Sequence, residues 1–172
     1  TFQYMPGGTT YLDTPVVSVA AFAGSGYQLD CDAADATPMI SSVFSGEYPN
    51  HGAYISDPTA ATATLTINAV GLRSVPNPSA TELSSTTEKN VLRDYGFGGT
   101  EGTVWFIDKD GHATAATSSA WANDVITVDF PQGLVPETSP GTYPIKSFQL
   151  VVENANGVSS PMAVTVTVGT LR

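Results

Sequence analysis

Residues 96–168 read GFGGTEGTVWFIDKDGHATAATSSAWANDVITVDFPQGLVPETSPGTYPIKSFQLVVENANGVSSPMAVTVTV. Four segments of this stretch alternate apolar and polar residues, and turn-forming residues separate them. The last is the plainest: Val164, Val166 and Val168 fall on one side, Thr165 and Thr167 on the other. Side chains of a strand alternate faces with period two, so this pattern means one buried and one wetted face. Phe148, Leu150 and Val152 repeat it, as do Ile126, Val128 and Phe130. Val104, Trp105, Phe106 and Ile107 supply the fourth segment. The expected fold class is all-β, a sandwich of two facing sheets.

Working outward, the same rhythm returns upstream. Leu65, Ile67 and Ala69 alternate with Thr64, Thr66 and Asn68, a half-buried strand. Ile40 and Val43 are core candidates in the segment that Pro38 opens. Val17, Val19 and Ala21, then Tyr27, Leu29 and Cys31, suggest a hairpin turned at Gly24-Ser25-Gly26. Residues 1–13 form an arm in which Phe2 and Tyr4 share one face before Pro6-Gly7-Gly8 breaks the chain. Residues 1–37 therefore read as an extension and 38–172 as the body.

One part breaks the rhythm. Val75-Pro76-Asn77-Pro78 reads as a loop, and Ser85-Thr86-Thr87-Glu88 has the form of a capping box. The spacing predicts a helix of about two turns over EKNVLRDY (88–95), stopped at Gly96. An excursion this long is either a loop folded on itself or a contact surface.

Composition narrows the partners. Six Lys plus Arg stand against 16 Asp plus Glu, a net charge of −10. So acidic a chain repels phosphate backbones and anionic lipid, which argues against nucleic acid and membrane insertion. No apolar run approaches the roughly 20 residues of a spanning helix. Cys31 is the sole cysteine, so no internal disulfide forms; it reads as a small buried hydrophobe, with an intermolecular bridge or a metal ligand as alternatives. A start at Thr1 fits a mature secreted protein or an excised fragment.

The ordered set resembles the IPT/TIG domain, an immunoglobulin-like β-sandwich of bacterial surface proteins and secreted enzymes. The motifs are Pro38 to Val43 with Pro49-Asn50-His51-Gly52; Ala63 to Asn68; Gly96-Phe97-Gly98 leading to Val104-Trp105-Phe106; Trp121 through Ile126, Val128 and Pro131; and Val152 to Pro161. The likeness covers residues 38–168. It departs at 72–95, an insertion of about 24 residues, and at 1–37, which has no counterpart. The resemblance implies an extracellular or cell-surface, bacterial protein and carries no catalytic residues.

Chemistry is sparse in the sequence. The two histidines, His51 and His112, fall in expected turns, and no triad order, HExxH, Walker A or dinucleotide motif occurs. Asp108-Lys109-Asp110-Gly111 overlaps the opening of a calcium loop, yet a hairpin turn needs the same Asp-Gly. Asn156-Gly157 is a second turn signal of the type I′ kind. A weak calcium site at Asp108 and Asp110 is thus one expectation, with no other cofactor. Trp105 and Trp121 present aromatic faces to a sugar or to the core. The expected task is non-catalytic: a structural or adhesive module that self-associates, or joins another surface protein, by strand addition through Phe2 and Tyr4. The alternative is an accessory domain of a larger secreted enzyme, a spacer or a polysaccharide-contacting unit through Trp105.

Overall fold

A computed structural model describes residues 32–49, 52–80 and 83–170, and every regular element among them is a strand. In chain order these are β1 (Ile40–Ser45), β2 (Tyr54–Ile55), β3 (Thr64–Ala69), β4 (Gly71–Pro76), β5 (Asn90–Tyr95), β6 (Thr103–Ile107), β7 (Ala113–Ala115), β8 (Thr117–Trp121), β9 (Val125–Asp129), β10 (Lys146–Glu153) and β11 (Val164–Val168). The arm with Phe2 and Tyr4, the hairpin expected over 14–31, Cys31 and His51 lie outside the described residues.

Two sheets face each other. One has the order β1-β3-β9-β8, the other β2-β11-β10-β6-β7. With β4 and β5 set aside, this is the strand order of an immunoglobulin-like sandwich, A-B-E-D against G-F-C. The short β2 runs parallel to β11 at one flank, and β7 extends the other. The all-β sandwich expected from the alternating segments is therefore what forms.

The alternation decides which atoms meet. Val43, Leu65, Ile67, Ile126 and Val128 point inward from one sheet; Val104, Phe106, Phe148, Leu150, Val152, Val166 and Val168 do so from the other. The threonines between the valines of β11 lie on the opposite face. Phe106, Phe130 and Phe148 meet edge to face at centroid distances of 5.2, 5.6 and 6.4 Å. Phe130 follows β9 whereas the other two belong to the opposing sheet, so this cluster joins the layers. Edge-to-face pairs of this kind add about 0.5–1.5 kcal/mol each beyond burial.

The helix expected over 88–95 is not there; β5 occupies most of it. One half of the capping box forms, the Glu88 carboxylate accepting from the Ser85 N–H; the Glu88 N–H goes to the Ser85 carbonyl instead of its hydroxyl. Ser85 N–H and Oγ–H both donate to Glu88 Oε2 at 2.8 Å, and the N–H groups of Glu88 and Lys89 both reach the Ser85 carbonyl. They close one turn, after which Lys89 C=O accepts from Asn77 N–H at 2.9 Å and the ladder begins. Two turns in isolation do not repay helix nucleation. Val91, Arg93 and Tyr95 are two apart, and pairing as a strand sets them opposite Val75, Arg73 and Gly71. The loop expected at Val75-Pro76 likewise starts only after Pro76, the last residue of β4.

The turn at 108–112 is corrected in type. Gly111 takes φ +86° and Gly157 φ +76°, but Asp110 and Asn156 do not take positive φ. A type I′ turn needs both central residues there. Asp108 N–H to His112 O (3.0 Å) and Gly111 N–H to Asp108 O (3.1 Å) instead close a turn followed by one left-handed glycine.

Candidate functional site

The insertion between β3 and β6 is a two-stranded ribbon. β4 and β5 pair with each other from Gly71↔Tyr95 to Pro76↔Asn90 and with no strand of the sandwich. Its base is tied down by side chains. Asp94 accepts from Gly96 N–H at 2.9 Å through Oδ1 and from Asn123 Nδ2 at 2.9 Å through Oδ2. Asn123 Oδ1 accepts from Gly98 N–H at 2.8 Å, and Trp121 Nε1 donates to Gly98 O at 3.0 Å. Trp121 also meets Phe97 edge on, at 6.5 Å. It is a packing residue.

The described residues before β1 lean on one face of the ribbon. Ala33 C=O accepts from Tyr95 Oη–H at 3.0 Å and from the Arg93 guanidinium. Asp94 N–H donates to Asp35 Oδ1 at 2.7 Å, and Ala36 N–H to Asp94 O at 2.9 Å. Ala36 holds this turn at φ 62°, unusual for a residue with a Cβ. Val75, Arg93 and Tyr95 are buried.

The opposite face is open. Leu72 and Leu92 are 69% and 67% exposed, and Leu83 at the far end is 98% exposed. Leu72 stands opposite Asp94 and Leu92 opposite Ser74, so the two leucines are diagonal neighbours within side-chain reach. Ser74, Pro76 and Asn90 complete the face. Because the Asp94 backbone points outward to Asp35 and Ala36, alternation points Leu92 and Asn90 outward on β5, and Leu72 and Ser74 outward on β4. Their outward N–H and C=O groups have no partner among the described residues. These leucines were hidden from sequence reading by the helix expectation; the signal was the alternation of Val91, Arg93 and Tyr95, disguised because one member is charged.

The structure does not bring the other expected site residues together. Trp105 lies on β6, half-buried on the outer face of the five-stranded sheet, between Val151 and Ala115. Asp108 and Asp110 lie in the β6–β7 turn, where one ligand atom each of Asp108, Asp110 and His112 fall within 4.8 Å of one another. The turn uses them already. Asp108 Oδ1 accepts from the N–H groups of Asp110 and His112 at 2.8 and 2.9 Å, its Oδ2 faces His112 Nδ1 at 3.2 Å, and Lys109 Nζ lies 2.7 Å from both oxygens of Asp110. The N–H of His112, joined by that of Asp110, holds the Asp108 carboxyl below the ordinary carboxylate range. A calcium ion here must displace the Lys109 ammonium.

Beside a concavity of about 280 Å³ at Gly99, Glu101, Ser118 and Trp121, two more lie among the described residues. One, of about 220 Å³, lies where Gly96–Thr100 meets Asn123 and Asn154. Asn154 Oδ1 accepts from Asn156 and Val158 N–H and its Nδ2 donates to Ala36 O, so these amides serve the loops. The other, about 610 Å³, mixes the methyls of Ala60, Ala61 and Ala115 with the polar groups of Thr59, Thr117, Asp129 and Gln132. The amides of the first are thus committed, and the second holds Asp129 as the single ionisable group of its lining. Among the described residues no helix is long and apolar enough to cross a membrane. No protein-family model matches the chain, and no curated protein or solved structure matches it.

Proposed function

We propose that this chain is a non-catalytic structural or adhesive module of the bacterial cell surface or exterior, built on an IPT/TIG-like sandwich and assembled by strand addition. The observation that carries the reading is the ribbon: exposed leucines beside outward backbone groups that no described residue satisfies. An exposed strand edge with apolar side chains recruits another chain, and proteins without such a purpose guard it. The immunoglobulin-like strand order supports the family resemblance, and the acidic, charge-poor surface suits an exterior location. Strand donation by the arm with Phe2 and Tyr4 is heterologous and builds filaments rather than closed rings. Deleting residues 1–13 should stop particle growth measured by light scattering. Unchanged particle size rejects donation by the arm.

A second reading has its own observation. Trp105 on the outer sheet face, flanked by the small Ala115 and by Val151, offers an aromatic surface to a polysaccharide, as an accessory domain of a secreted enzyme would. A glycan pull-down lost on Trp105→Ala supports that role; retention by the folded variant rejects it.

A further inference from the structure

We infer that the concavity beside the β8 edge is a binding site for a neutral saccharide, seated against Trp121 and hydrogen-bonded by Glu101 and Ser118. The site shares a ligand class with the Trp105 surface but lies by the other sheet and uses none of its residues, so either can fail without the other.

Its side chains converge from two parts of the chain. Glu101 stands in the glycine-rich loop before β6, whereas Ser118, Ser119 and Trp121 belong to β8, the edge strand of the four-stranded sheet. With Gly99 and Ala120 they line about 280 Å³. The polar groups are uncommitted: among the described residues no hydrogen bond or ion pair engages the Glu101 carboxylate or the Ser118 hydroxyl. The aromatic wall is fixed. Trp121 Nε1–H donates to the Gly98 carbonyl at 3.0 Å and the ring meets Phe97 edge on, yet the residue is only half-buried. A ring already held loses little freedom when a ligand meets it.

The backbone agrees. Gly99 does not take a left-handed φ, and a Cβ placed on it meets no atom within 4 Å. Neither conformation nor crowding demands glycine there; what glycine supplies is room for another molecule to approach the main chain. β8 also slips its register against β9 between Ser118 and Ala120. Such a bulge inserts one residue, here Ser119, and re-aims side chains at sheet edges and beside binding sites.

Chemistry selects the class of ligand. An ionised glutamate only accepts hydrogen bonds, while a serine hydroxyl both donates and accepts. Sugar hydroxyls match both, and the C–H face of the same sugar ring matches the indole. Anions are repelled by Glu101 and by the net charge of −10. An apolar ligand would strip water from the carboxylate and hydroxyl without replacing their bonds. A lone cationic side chain gains little from a carboxylate as exposed as Glu101, whereas a sugar engages ring, carboxylate and hydroxyl together.

The test is an amide NMR titration of the full chain with cello-, malto-, manno-, xylo- and chitohexaose. At least one should shift the Trp121 indole N–H and the Gly99 amide to saturation. Glu101→Ala should weaken that binding by about tenfold or more. Gly99→Leu, which the backbone accommodates, should fill the concavity and block binding, while Trp105→Ala should leave the affinity unchanged. Circular-dichroism melts check that each variant keeps the fold. Binding that survives both Glu101→Ala and Gly99→Leu overturns the inference, and its loss on Trp105→Ala instead assigns the saccharide to the outer sheet face. Saturable shifts with none of the oligosaccharides also overturn it, the result expected were Glu101 and Trp121 the seat of a cationic side chain.

Discussion

Asp108 illustrates how one side chain answers both a structural and a chemical expectation. Its carboxylate replaces the backbone acceptors that a five-residue turn leaves missing, by taking the N–H groups of Asp110 and His112. Those bonds favour the ionised form, chiefly the one from His112, so its folded pKa lies below the ordinary 3.8. A depressed carboxyl contributes stability that is present above the unfolded value and is lost as pH falls through the folded one. The amide resonances of Asp110 and His112 should therefore shift together on acidification with a midpoint below 3.8, and Asp108→Ala should abolish that shift. A midpoint at or above the ordinary value contradicts the bonding described.

At the level of elements, the ribbon shows how an insertion is grafted without disturbing its host. β4 leaves β3 after one residue, and β5 ends at Tyr95, whose carbonyl receives Met39 N–H at 3.2 Å. The graft is secured by Asn123, which lies between β8 and β9 and holds both Asp94 and Gly98. Asn123→Ala removes two side-chain hydrogen bonds at a solvent-exposed site, which should cost about 1–2 kcal/mol in urea unfolding. The sharper readout is local. Gly98 N–H should exchange faster by more than the global loss explains, whereas the β10 amides should follow global unfolding alone.

For the whole molecule, the decisive contact is the aromatic cluster that joins the two layers. Phe130 reaches from the β9 side to Phe106 and Phe148 of the other sheet, and each is nearly or wholly buried. Truncating one leaves a cavity at the centre of the sandwich. Phe130→Ala should lower stability by about 3–5 kcal/mol in denaturant unfolding, against roughly 1 kcal/mol or less for truncation of a half-exposed apolar residue such as Ile145. Equal losses at the two positions would show that the layers are not held through this cluster.

What the sequence settled by itself was everything that alternation encodes. A period-two pattern is local: Val164 to Val168 or Leu65 to Ala69 state which side chains are buried without reference to any partner. Gly111 and Gly157 marked turns for the same reason, since a left-handed backbone is a property of one residue. Where a local rule admitted two outcomes, the chain alone could not choose. Ser85 to Glu88 made one of the two bonds of its capping box, yet the residues beyond became β5, because β4 was present to pair with them and a two-turn helix had nothing to pack against. The short strands β7 and β8 were illegible as Ala, Thr and Ser runs; the neighbours β6 and β9 make them strands. The exposed leucines follow the same logic. Leu72 and Leu92 are twenty residues apart in the chain and become one surface only when the ribbon closes, since the register that sets them diagonal is a relation between strands and not a property of either.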